Sequence, residues 1–324
     1  KIAMEIRPYE SGDEDKILEL FEIVFHRKMS SGYWQWRFGD NPIDKHLIHL
    51  MWDGDRLAGH YAVSAINMRI DNEIYKAALS MTTMTHPDYG GRGIFSELSS
   101  SLYNELKNER GYKCVIGYPN LNSHYGFIKN LNWSNICICN HLIKDVSTYD
   151  KTPCNNIFMT ENITQEHIDI IDKISRFFRV SVWKDLSYMK WRLEDNPNAK
   201  YYIFEYRQNS ILEGFWIVKT YPSEKAGIDN VFIVENAVPF ENIALIPEFI
   251  SHIKYYLSEI GLYPETFNTW LPFNDIRHIY YEKYGFCLGG KPTIFGFCPF
   301  DVCLNETLSD YRNWYYSYSD SDIY

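Results

Sequence analysis

The sequence predicts an α+β protein made of two tandem copies of one domain, and three observations carry that prediction. A decapeptide, YWQWRFGDNP at 33–42, returns as YMKWRLEDNP at 188–197, with Tyr, Trp, Arg, Asp, Asn and Pro in register. Downstream of each copy, the same strand, turn and helix signals follow at an almost constant offset. The length of 324 residues suits two domains of about 150, each large enough for its own core.

In the first copy, HLIHLMWDGDRLAGHYAV (46–63) reads as two strands meeting at an Asp53-Gly54 turn. A β-like run follows, SMTTMT (80–85), then the glycine-rich HPDYGGRGIF (86–95). Ile94, Leu98, Leu102 and Leu106 then form the i, i+4 stripe of an amphipathic helix. In the second copy, YYIFEYRQNSILEGFWIV (201–218) repeats the strand pair. Phe249, Ile253 and Leu257 stand 155 residues beyond the first three stripe positions. Each copy goes on to a strand, a Pro-containing turn, a short helix and an aromatic stop, Leu131-Asn132-Trp133 against Tyr284-Gly285-Phe286. The expected domains are 1–147 and 155–305, with a tail at 306–324. The aromatics of NWYYSYSDSDIY (313–324) favour a docked tail over a disordered one. Trp36-Arg37 and Trp191-Arg192 occur in both copies, so they are expected to stabilise the domains rather than bind a ligand. The Asp-Asn-Pro after them reads as a helix stop and turn.

Composition narrows the function. No apolar run approaches the roughly 20 residues of a membrane span, and KIAMEIRPYE lacks the layout of a signal peptide. Seven cysteines without framework spacing point to reduced thiols and a cytoplasmic protein. A net charge of −10 with no basic cluster argues against nucleic acid and fits a neutral or cationic acceptor.

The copies part company at one place. Gly90, Gly91 and Gly93 let the turn before the first helix take positive φ and present bare amides at a helix N-terminus, where an anion is favoured. Arg92 adds a cation. The second copy has Leu245, Ile246, Pro247 and Glu248 there, which crowd the turn, remove an N–H and add a carboxylate. The apolar stripe survives, so the second copy keeps the scaffold and loses the anion site.

At these residues the sequence resembles the GCN5-related N-acetyltransferase (GNAT) superfamily, whose signature R/Q-x-x-G-x-G/A opens a helix after a strand. His86-Pro87-Asp88-Tyr89 matches the lead-in and Gly93 the central glycine, while Gly90 and Phe95 depart from the pattern. The resemblance implies two tandem GNAT-like domains, each a mixed, mostly antiparallel sheet flanked by helices. It implies acetyl-CoA as cosubstrate, with its pyrophosphate on the amides of Gly91, Arg92, Gly93, Ile94 and Phe95. The strand Thr83, Met84 and Thr85 would pair with pantetheine like an added strand. The family's next landmark is nearly complete in the second copy, NDIRHIYYEKYGF (274–286), with Asn274 and Tyr281 in place. The first copy reads YPNLNSHYGFIKNLNW (118–133). Asn120 or Asn122 fills the Asn role there, and Ile128 falls in the Tyr slot. Tyr125, about one helical turn earlier, is the substitute general acid, and Ser123 the second choice.

The implied reaction is acetyl transfer to a small amine or amino sugar, in the first copy. The strand SMTTMT carries no carboxylate base; His86 reads as structural, and Asp320 or Asp322 reaches an acceptor only if the tail folds back. Two other functions remain open: a CoA-binding or carbohydrate-binding pseudoenzyme, and an aminoacyl-tRNA-dependent peptidyltransferase.

Overall fold

The computed structural model describes residues 4–324. The first copy runs β1 (Glu5–Pro8), α1 (Glu14–Phe25), β2 (Ile48–Asp53), β3 (Arg56–Ile70), β4 (Glu73–Thr85), α2 (Ile94–Asn108), β5 (Cys114–Gly117), α3 (Leu121–Leu131) and β6 (Ser134–Asp145). The second runs β7 (Ile157–Thr160), α4 (Gln165–Ser175), β8 (Val180–Trp183), β9 (Tyr202–Gln208), β10 (Ile211–Pro222), β11 (Asp229–Ala237), α5 (Ile246–Glu259), β12 (Thr266–Trp270), α6 (His278–Lys283) and β13 (Cys287–Pro299).

Two compact units result, and neither is a contiguous stretch. The first takes the chain up to Cys137 plus 195–198 and 294–310; the second takes 138–194, 199–293 and 311–324. Boundaries at 147, 155 and 305 therefore misplace two strands. In the first unit β5 pairs with the end of β13, Gly117 facing Gly296 and Val115 facing Cys298. In the second, β12 pairs with the end of β6, Trp270 facing His141 and Thr266 facing Asp145. A repeated sequence identifies equivalent elements but does not say which copy supplies the last strand of each sheet.

Each unit, taken alone, has the same plan. The first sheet is antiparallel through β1, β2, β3 and β4, with one parallel step from β4 to β5. The second is antiparallel through β7, β9, β10 and β11, with one parallel step from β11 to β12. In the first unit Ile94, Leu98, Leu102 and Leu106 are buried from α2 against Tyr61, Val63 and Val115 of the sheet. In the second, Phe249, Ile253 and Leu257 of α5 are buried with Trp216, Ile233 and Phe267. Burying a leucine-sized side chain contributes about 1.5–3 kcal/mol, so each stripe does much to hold its helix.

The decapeptides form the same unusual element twice, a helical turn (31–34 and 186–189) running into a π-helical turn (35–39 and 190–194). Trp36, Arg37, Trp191 and Arg192 are all buried. The Arg37 guanidinium lies over the Trp36 ring at 4.8 Å. Arg192 donates to the Tyr201 hydroxyl at 3.0 Å and the Ser321 carbonyl at 3.1 Å. Such burial suits residues that stabilise each domain from within, and the second arginine also holds the tail.

The tail is docked. Trp314, Tyr315, Tyr316 and Tyr318 are buried in the second unit. Lys184 Nζ, itself buried, lies 2.7 Å from Glu235 Oε2 and 3.0 Å from Asp320 Oδ1. Ser317 and Ser319 also donate to Glu235. Asp320 is thus consumed in a buried ion cluster and is no free base.

Candidate functional site

The site starts from a strand that outruns its neighbour. β4 pairs with β3 along its length, but with β5 only at Ala78–Val115 and Leu79–Ile116. From Ser80 to Thr85 the other edge of β4 has no β5 residue paired with it. Register against β3 slips between His60 and Ala62, which pair with Met84 and Met81. Within that bulge Thr82 takes φ 50°, a conformation a β-branched residue adopts only at a cost. His60 sits opposite, its Nδ1 2.8 Å from the Thr82 carbonyl. Beyond the bulge, the His86 amide donates to Ala58 of β3. Antiparallel alternation then turns the Thr85 and Thr83 backbone groups toward the open edge and Met84 toward β3. Of the three strand residues expected to meet pantetheine, Thr83 and Thr85 have the outward orientation.

The glycine turn lies at the far end of this edge. Gly91 and Gly93 have φ 74° and 78°, and a Cβ on either would meet nothing within 4 Å. Gly93 caps α2 without any side-chain bond, so the first-turn amides of the helix lack an acceptor. The lead-in residues brace the turn. His86 accepts from the Asp88 amide, Tyr89 donates to Asp53 at 2.7 Å, and Arg56 pairs with Asp88 at 2.5 Å. Arg56 and Arg92 both lie over the Tyr89 ring, at 5.4 and 4.9 Å. The Asp53 bond raises the Tyr89 phenol above its ordinary pKa. Phe95 turns its ring inward, edge-on to Phe127 at 5.1 Å and Tyr61 at 6.0 Å, so only its main chain faces the turn. That is why a bulky residue is tolerated where the signature has a small one.

At the apex of the gap lies a hydrogen-bond chain that sequence reasoning missed. Trp133 Nε1 is 3.1 Å from the Tyr103 hydroxyl, Tyr103 is 2.8 Å from Tyr61, and Tyr61 is 2.8 Å from Ser80 Oγ. The indole only donates, so Tyr103 accepts there. Burial pushes the Tyr61 and Tyr103 phenols upward in pKa, and a phenol left without an acceptor in that core would cost about 1–3 kcal/mol. The arrangement that avoids this runs from Trp133 to Tyr103 to Tyr61 to Ser80. It leaves the Ser80 hydroxyl hydrogen as the end of the chain. Nothing at single positions marked these four; they meet only when β3, β4, α2 and the start of β6 pack.

The remaining predicted residues stand at the start of α3, beyond the C-terminal end of β5. Asn120 is its N-cap, accepting from the amides of Asn122 and Ser123 at 3.0 and 2.9 Å. Ser123 Oγ lies 3.1 Å from the same Asn120 oxygen. Tyr125 is 68% exposed, with Lys129 Nζ 5.4 Å from its ring centre. These three residues share one helix end, and the structure commits the Asn120 side chain to capping.

The second unit fills the equivalent gap. β11 pairs with β12 only through Ile233. Beyond that point Arg277 donates to the carbonyls of Asn236 and Val238 at 2.8 and 3.1 Å, and is held by Asp275 at 2.8 Å. Tyr281 donates to Asn236 Oδ1 at 2.7 Å and is fully buried. The landmark tyrosine retained in this copy is therefore locked in the core.

Comparison with known proteins bears on the fold. Residues 5–136 match the family model described as acetyltransferase (GNAT) domain. Among solved structures, a GCN5-related N-acetyltransferase from Anabaena variabilis superposes with a TM-score of 0.68 at 8% identity, covering 93% of this chain and 74% of that one. A probable N-acyltransferase from Enterococcus faecalis gives 0.64 at 11%, covering 91% and 72%. Saccharomyces cerevisiae N-myristoyltransferase with bound myristoyl-CoA gives 0.63 at 7%, covering 92% and 83%. At such identities the likeness is one of fold. No curated protein matches by sequence. Among the described residues no helix is long and apolar enough to cross a membrane.

Proposed function

We propose that this chain, an acyltransferase whose residues 5–136 belong to the GNAT superfamily, uses acetyl-CoA to acylate a small amine or amino sugar, with its active site in the first unit. One observation carries the reading: an open β4 edge from Ser80 to Thr85 leads directly to an uncapped, glycine-lined helix start. The residues fit the cosubstrate. Gly91 and Gly93 leave a cradle that no Cβ narrows, where amides from Gly91 to Phe95 would hold a diphosphate and Arg92 would add charge. Thr83 and Thr85 would pair with the pantetheine amides as an added strand does. When bound, CoA supplies a thioester already activated for acyl transfer.

The protein's own contributions follow. A β4 main-chain amide beside the thioester would donate to a developing oxyanion. The amine must arrive neutral; from an ordinary pKa of about 10.4, deprotonation at neutral pH costs nearly 5 kcal/mol, which desolvation lowers. Tyr125 and Ser123, on the same helix end as Asn120, are the groups proposed to protonate the leaving thiolate. A thiolate of pKa about 8.5 needs little such help, so the exposed setting of Tyr125 suffices.

Titration with CoA tests the reading. The wild type should bind one equivalent. Gly93→Glu, which copies the Glu248 chemistry of the second unit, should abolish binding while circular dichroism stays unchanged. Failure of the wild type to bind CoA, or undiminished binding by the variant, refutes it.

A further inference from the structure

We infer that Ser80 and Gly117 form the floor of the acyl cleft and restrict the transferred group to acetyl or one of similar length. This rests on the reading of the β4–β5 gap as an acyl-CoA site, and deepens it.

The direction of the ligand follows from the two ends of the gap. Phosphates belong at the Gly91–Phe95 amides, beyond the C-terminal end of β4. An arm lying along the β4 edge from Thr85 toward Ser80 runs about 17 Å. The part of the ligand farthest from the phosphates, its acyl group, then arrives at the point where β4 and β5 rejoin. That junction follows the last parallel pair, Leu79–Ile116.

There packed side chains back the junction on its α2 face. A Cβ placed on Gly117 would lie 3.4 Å from Ser80 Cβ, so the two residues sit side by side. The same atom would lie 2.9 Å from Trp133 Cη2 and 3.2 Å from Cζ3, so the indole backs the floor directly. Behind Ser80 stands the Tyr61 hydroxyl at 2.8 Å. Trp133, Tyr61 and Tyr103 are buried and bonded to one another, so displacing one for a longer chain would break this network.

The floor is also polar in a fixed sense. The chain from Trp133 through Tyr103 and Tyr61 ends at Ser80, whose hydroxyl accepts from Tyr61 and keeps its own hydrogen to donate. A two-carbon acyl group leaves that donor within reach of a carbonyl or a water. An alkyl chain pressed onto it would bury the donor with no acceptor, so chemistry and volume discriminate in the same direction. Gly117 contributes because any side chain there would displace Trp133, and Ser80 because it is the only side chain of β4 at the junction bonded to this network.

Calorimetric titration needs no acceptor and separates the possibilities. The probes are free CoA, acetyl-CoA, butyryl-CoA and octanoyl-CoA. The wild type should bind acetyl-CoA at least as well as CoA and butyryl-CoA at least about tenfold more weakly, the scale on which pockets discriminate added methylenes. Ser80→Gly should close most of that gap. Ser80→Val should weaken acetyl-CoA by about tenfold and leave free CoA unchanged, which also reports an intact fold. Octanoyl-CoA binding the wild type as tightly as acetyl-CoA, or either variant leaving the ratios unaltered, overturns the inference while the CoA reading stands. Absence of any free CoA binding removes that reading and this inference with it.

Discussion

His60 Nδ1 lies 2.8 Å from the carbonyl oxygen of Thr82, so the ring donates there and keeps its lone pair on Nε2. The bond crosses the bulge that turns β4 away from β5. Thr82 at φ 50° is strained by about 1–3 kcal/mol, and a bond from a fully buried imidazole offsets part of that cost. Replacing His60 with Phe keeps the ring and removes the donor. CoA affinity should then fall by about tenfold, equivalent to ~1.4 kcal/mol. Calorimetry checks this, and an unchanged affinity would show that the bulge persists without the bond.

The same histidine sets a pH dependence. Burial lowers its pKa from 6.5 to about 4. The unfolded chain therefore binds a proton between those values that the folded protein refuses. Its contribution is fully present above about 6.5 and is lost as pH falls through the window to about 4, a total of up to about 3 kcal/mol. Urea midpoints followed from pH 7 to 4 should show the decline in the wild type and a shallower one in His60→Phe.

Arg277 is the structural counterpart of an empty edge. Converting it to Met would leave Asp275 and two carbonyls buried without their partner, a loss of about 3–5 kcal/mol. Adding Asp275→Asn should recover part of it. CoA stoichiometry should stay at one per chain in both variants, since Pro247 and Glu248 still lack the anion-binding chemistry.

Lys184 should behave alike. With Met in its place, Glu235 and Asp320 share a buried site without a cation, again about 3–5 kcal/mol. The first visible effect should be cleavage within 311–324 under limited proteolysis, reversed in part by Asp320→Asn. A tail that resists protease in Lys184→Met would mean that its buried tyrosines alone hold it.

Much of the scaffold could be read from the chain because periodicity is local. The α2 and α5 stripes, the strand pair at Asp53-Gly54 and the glycine turn each announce themselves within about fifteen residues. The origin of the last strand in each sheet did not, because pairing of Gly117 with Gly296 is a long-range choice with no local signature. The site was half legible. Gly91 and Gly93 were visible as a motif, and their contrast with Pro247 and Glu248 gave it meaning. Ser80, Tyr61, Tyr103 and Trp133 look ordinary in sequence, and His60 looks like any strand residue until Thr82 is seen opposite it. Asn120 was visible as a polar residue at a helix start, but only geometry shows its side chain committed to the N-cap.

The trade of β6 and β13 between copies has a consequence for biosynthesis. The first unit lacks residues 294–299 when its other strands have already left the ribosome, a wait on the order of ten seconds at common elongation rates. During that interval the edge of β5 is bare and open to wrong partners. Nor does any single cut release a whole first unit: a fragment ending near residue 147 would be one strand short, and adding a peptide spanning 294–310 in trans should restore it.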